Sequence, residues 1–125
     1  MTTVRTARKR LLEVALAYPD AWLDHPWGED VVKIRKKIFA FLGVASDARL
    51  TIGVKLPSSV DAALTLPNVE RSGYGLGKAG WVSAVYAAKD AVDLPLLLEW
   101  LEESYRTVAP KTLVKGPVVS GRKRA

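Results

Sequence analysis

The sequence predicts an α+β fold, a two-layer sandwich with helices covering one face of a mostly antiparallel sheet of about five strands. Three observations lead there. Apolar stripes of helical period open and close the chain, segments of period two lie between them, and turn residues punctuate each junction. The 125 residues make about one domain, and a content of 49% hydrophobic and 26% charged residues is that of a globular protein.

Val4, Ala7, Leu11, Val14 or Ala15, and Tyr18 recur at spacings of three and four with Arg5, Arg8 and Lys9 opposite them, which describes an amphipathic helix. Pro19-Asp20 ends it, and the stretch from Asp24 to Asp30 is rich in turn residues. Val31 to Val44 reads as a β-hairpin with Lys36-Lys37 at its tip, Val32 opposite Phe41 and Ile34 opposite Phe39. That register puts Lys33 and Arg35 on the other face, beside Ile38 and Ala40. Leu50, Ile52, Val54 and Leu56 alternate with Thr51, Gly53 and Lys55 as a third strand. Ser58 is placed to cap a short helix running through Leu66. Val69 to Tyr74 and Trp81 to Tyr86 form a second hairpin around a glycine-rich loop. Asp93 caps a long helix whose apolar stripe is Leu94, Leu97, Leu98, Leu101, Tyr105 and Val108, with Glu99, Glu102 and Glu103 facing water. The expected core is Leu11, Val32, Ile34, Phe39, Phe41, Ile52, Leu97, Leu98 and Leu101. The pattern stops at Pro110, so residues 1–112 are read as one domain and 113–125 as a basic, flexible tail.

Composition narrows the chemistry. There is no cysteine, and His25 is the single histidine. Disulfides, thiolate nucleophiles and cysteine-based zinc sites are excluded, and a single histidine makes Ser-His-Asp catalysis or a histidine-based metal site hard to build. An enzyme is therefore not expected, nor a cofactor or a metal. His25 lies among Asp24, Glu29 and Asp30, a cluster better read as a satisfied turn than as a metal site. Basic residues followed by Leu11 to Ala17 superficially resemble a secretory signal, but the apolar stretch is short and Glu13 interrupts it. With no window apolar enough to span a membrane, a cytoplasmic monomer is expected.

The net charge of +6 is unevenly spread. Four basic residues lie in the first ten positions and five in the last fifteen, neither segment containing an acid, whereas residues 11–110 hold ten basic residues against all 13 acids. The folded body is thus slightly acidic. Against that background Lys33, Arg35, Lys36 and Lys37 stand out, since four cations in five residues on a narrow β-ribbon can approach phosphates or lie along a groove.

Gly75-Leu76-Gly77-Lys78-Ala79-Gly80 matches G-x-G-x-x-G, yet a strand follows where the dinucleotide fingerprint requires a helix. Walker A fails as well, with Ser72 at the first glycine and Ala79 at the Ser/Thr site. The same region carries a resemblance. Pro26-Trp27-Gly28 leading to Asp30, Phe39-Ala40, Lys55, and Gly73-Tyr74 followed by Lys78 and Trp81 resemble the MmcQ/YjbR family of predicted DNA-binding proteins, over most of residues 8–112. The resemblance implies a double-wing, CyaY-like relative of the frataxin sandwich. Where many relatives are polar or basic around the lysine, this chain has Gly75, Leu76, Gly77, Ala79 and Gly80, so Lys78 is the only charge of the second wing. The expected function is a non-enzymatic, sequence-tolerant double-stranded DNA binder using Lys33, Arg35, Lys36, Lys37 and Lys78. The alternative is a protein-interaction or small-ligand module using the Gly73–Trp81 loop and the sheet surface. An iron-handling role by analogy with frataxin is poorly supported by so small an acidic cluster as Glu99, Glu102 and Glu103.

Overall fold

The computed structural model describes residues 2–72 and 79–114. The elements in chain order are α1 (Val4–Ala17), β1 (Ala21–Asp24), β2 (Asp30–Ile34), β3 (Lys37–Gly43), β4 (Leu50–Lys55), α2 (Val60–Ala63), β5 (Val69–Arg71), β6 (Trp81–Tyr86), α3 (Leu94–Val108) and α4 (Lys111–Val114). The strands form one antiparallel sheet in the order β1-β2-β3-β4-β6-β5, and α1 and α3 lie together on one face of it. The α+β sandwich is as expected, with six strands where about five were read. The additional one is β1, four residues with no alternation strong enough to mark it. It is held by pairing with β2, Trp22 opposite Lys33 and Leu23 opposite Val32.

Local chemistry explains the helix limits. Thr3 caps α1 by accepting from the Thr6 N–H, and Val4, Ala7, Leu11 and Ala15 form its buried stripe. Asp93 caps α3 by accepting from the Leu96 N–H, with Pro95 in the first turn, where its missing N–H costs nothing. Glu103, expected to face water, instead takes the Ser58 and Ser59 N–H groups and the Ser59 hydroxyl, tying the start of α2 to α3. The Ser59 hydroxyl donates to Glu103 and makes no cap bond, and α2 begins after Ser59 rather than Ser58. At the other end of α3, Leu113 in α4 packs against the core, within the span read from sequence as tail; residues 115–125 lie outside the described residues.

The central departure is in the first hairpin. Ile34 pairs with Lys37 and Lys33 with Ile38, then Val32 with Ala40 and Val31 with Phe41, then Asp30 with Gly43. The register steps twice, leaving Phe39 and Leu42 as extra residues of two β-bulges. The predicted pairs Val32–Phe41 and Ile34–Phe39 assume an unbroken ladder and are not formed. Each bulge also changes which side chains face the helices. Phe39, Ala40 and Leu42 all enter the main core, whereas Phe41 goes to the opposite face and meets Trp81 edge-on at 5.4 Å. Ala40 therefore does not lie beside Lys33, and Phe41, expected in the main core, is outside it. Gly53 makes the Phe41 position tenable, because a Cβ there would come within 3.2 Å of the ring. Leu98 is only half-buried against the core, while Trp100 and Ser104 take the inward positions of α3.

Both extra residues have their backbone carbonyls met by a helix side chain. Ser104 is fully buried and its hydroxyl donates to the Phe39 carbonyl at 2.6 Å while accepting from the Lys55 N–H at 2.9 Å. The hydroxyl thereby bridges β3 and β4 one step beyond their last pair, Ala40 with Val54. From α1, the Arg8 guanidinium donates to the Leu42 carbonyl at 2.7 Å and to the carbonyls of Asp47 and Arg49 in the following loop. Around Phe39 the packing is aromatic, with Tyr18 and Tyr105 stacked at 4.4 Å and each in a T-shaped arrangement with its ring. Tyr105 finishes the clamp by donating its hydroxyl to the Pro19 carbonyl.

Replacing Ser104 with Ala leaves a buried carbonyl and a buried N–H without their partner. Urea denaturation is expected to show a loss of about 1–3 kcal/mol. The Glu99→Ala control, at an exposed position of the same helix, should stay within about 0.5 kcal/mol of the parent.

Candidate nucleic-acid interface

Because Ile34 pairs with Lys37, the hairpin closes through Arg35 and Lys36 rather than through the expected Lys36-Lys37. A two-residue hairpin loop demands positive φ at one or both central positions, and Arg35 supplies it at 58°. Arginine adopts that conformation at a cost, so the contacts around it matter. The Trp22 indole N–H donates to the Arg35 carbonyl at 2.8 Å, and the Arg35 guanidinium lies 3.6 Å from the Asp20 carboxylate. The tip is held from β1 and from the turn before it.

The tip stands beside the C-terminal end of α3. Between them runs a groove of about 580 Å³ whose charged lining is Arg35, Lys36, Lys37 and Lys111. Its apolar lining is Ile34, Val108, Ala109 and Pro110, and among the described residues no Asp or Glu lines it, Asp20 approaching only Arg35. Lys36, Lys37 and Lys111 form no ion pair with a described residue. Cations at this position are also favoured by the partial negative charge of the last α3 carbonyls. Three of the five residues proposed from sequence thus converge, and a fourth cation joins them. Lys111 was passed over because it follows the last apolar stripe directly, and nothing local in sequence tells that the end of α3 meets the hairpin tip.

Lys33 is elsewhere. Its ammonium lies 2.7 Å from the Asp24 carboxylate and 5.2 Å from the centre of the Trp22 ring, on the helix-free face of the sheet. The Lys33 ammonium, followed by the His25 N–H, holds the Asp24 carboxyl below its ordinary value of 3.8. Lys78 and Tyr74 lie outside the described residues. Trp81 is buried under Phe41, a packed wall rather than a platform free to stack on a base. Among the N-terminal cations, Arg5 and Lys9 are exposed, Arg10 faces Glu13 at 3.5 Å, and Arg8 is committed to its three carbonyls. His25 Nε2 is 2.9 Å from Asp30, and among the described residues no group of three or more metal-ligating side chains is assembled. No described helix is long and apolar enough to cross a membrane.

The YjbR family model matches residues 16–107. The chain is similar to the crystal structure of Deinococcus radiodurans protein DR2400, a domain of the DUF419 family model. The TM-score is 0.66 with 23% identity, covering 99% of this chain and 91% of that one, a likeness of fold. No curated protein matches the chain.

The Asp24–Lys33 pair has a measurable signature. By NMR the Asp24 carboxyl should titrate below 3.8, and Lys33→Met should return it toward that value. Since the folded-state value is depressed, the pair's contribution to stability is present at neutral pH and is lost as the pH falls through the folded-state midpoint.

Proposed function

The chain belongs to the YjbR family, and from that premise we propose that it is a non-enzymatic, sequence-tolerant binder of double-stranded DNA. It grips the phosphate backbone with the hairpin tip. The single observation that supports this most is the convergence of Arg35, Lys36, Lys37 and Lys111 around one groove with no Asp or Glu among its described lining residues, on a body whose central hundred residues carry more acid than base. Lysines without carboxylate partners pay no pairing cost when they meet phosphate, and each phosphate neutralised releases counterions from the duplex. Nothing in the lining reads base edges, as the bidentate contacts of specific binders do, so affinity without sequence preference is the expected mode. Lys33 is left out of this contact because Asp24 already holds it.

A second reading rests on the helix-free face of the sheet, where Trp22 and Val85 are exposed beyond one-third of their surfaces. That face suits contact with a protein or a small ligand better than contact with phosphate.

Duplex binding should be weak, with Kd of about 10⁻⁴ to 10⁻⁶ M at physiological salt, and should fall steeply as salt rises. Changing Lys36 and Lys37 together to Ala should lower the log–log salt slope by about 2 and weaken all sequences alike. Lys33→Ala should leave the slope unchanged. A duplex affinity indifferent to the tip double variant, measured by fluorescence anisotropy, would remove the hairpin from the mechanism.

A further inference from the structure

We propose that the groove between the hairpin tip and the end of α3 is a binding site for a small amphipathic anion. The ligand class is an apolar chain or ring bearing a single phosphate or carboxylate group. Its volume of about 580 Å³ lies within the range of small-molecule sites, roughly 300–1,000 Å³. The two halves of the lining ask for different things. Lys36, Lys37 and Lys111 offer ammonium groups with no described ion-pair partner, the complement of one anionic head. Val108 and Pro110, half-buried over the buried Ile34 and Ala109, offer an apolar surface, which a phosphodiester backbone lying across the rim has no use for. A ligand that satisfies both halves must carry an apolar body as well as a charge.

The site is also positioned to hold its shape. Ile34 is fully buried at one end of β2, and Ala109 is nearly so at the cap of α3, where its N–H donates to the Tyr105 carbonyl. The tip above is fixed by the Trp22 and Asp20 contacts to Arg35. Such a site loses little ordering entropy on binding. Because Lys36 and Lys37 belong both to this groove and to the proposed duplex contact, a bound anion and a duplex exclude each other.

The test is an amide NMR titration of the full chain with octyl phosphate, octanoate, inorganic phosphate and octanol. Saturable shifts at Ile34, Lys37, Val108 and Lys111 are expected with octyl phosphate or octanoate, and the tighter of the two identifies the head group. Inorganic phosphate and octanol should each bind at least about tenfold more weakly, since each uses one half of the lining. Lys111→Glu, an exposed substitution that should leave the rest of the spectrum unchanged, should weaken the amphipathic ligands by about tenfold or more. Equal binding of inorganic phosphate and octyl phosphate would overturn the proposal, as would shifts centred on the helix-free face or an unaltered affinity in Lys111→Glu. A labelled duplex separates the two readings. If octyl phosphate fails to bind while the duplex binds through the tip, the groove proposal falls and duplex binding stands; if the duplex fails while the titration succeeds, the reverse holds.

Discussion

Strand β3 spans seven residues where β2 spans five, and the two surplus residues, Phe39 and Leu42, impose a constraint on everything packed around them. A bulge lets the strand turn extra side chains toward the helices, but it leaves backbone groups that the ladder cannot pair. Here the helices supply the missing partners. Ser104 from α3 takes the Phe39 carbonyl and Arg8 from α1 takes the Leu42 carbonyl, so each helix is keyed to the sheet by a polar contact in the middle of an apolar surface. Burial alone favours the same helices over the same face without selecting their positions. The hydrogen bonds are directional, and a shift of either helix along its axis would break one of them.

From that keying follows the geometry of the hairpin tip. The loop closes through two residues, so the register at the tip is one that Lys37 and Ile34 share, and the bulges take up the difference farther down the ladder. Phe39 lies two residues beyond that closing pair and is gripped between Tyr18 and Tyr105, the latter from the last turn of α3. The cationic tip is thereby carried to the helix end where Lys111 waits. The groove is a by-product of how β3 is accommodated, with the charge of one hairpin and the charge of a helix terminus arriving together from positions more than seventy residues apart.

The two faces of the sheet are built differently. One carries the main core; the other has its own apolar row, Val31 beside Phe41 and Phe41 against Trp81, with Gly53 leaving room for the Phe41 ring. Around that row the polar contacts are local, Lys33 with Asp24 and the Ser72 hydroxyl with the Ser83 hydroxyl. Lys33 illustrates why a charge in sequence is a poor guide to a charge available for binding. Its neighbour across the strand, two residues along β1, is a carboxylate.

Much of the fold was legible because it rests on periodicity. The stripes Val4, Ala7, Leu11 and Leu97, Leu101, Tyr105, the cap at Asp93, the stop at Pro19-Asp20 and the alternation from Leu50 to Lys55 are local patterns legible in a short window. The excess of cations at 33–37 was equally plain, as was the resemblance carried by Gly73-Tyr74, Lys78 and Trp81. What tertiary structure decided are the features whose energy comes from groups distant in sequence. The residues at the two bulges, Phe39 and Leu42, are met by Ser104 and Arg8 from the helices, β1 is a strand because β2 offers it a ladder, and Lys111 joins the tip because α3 ends there. A local window holds a strand's alternation but not the partner that pays for interrupting it, which is why the two-residue difference between β2 and β3 became visible only when the helices were in place.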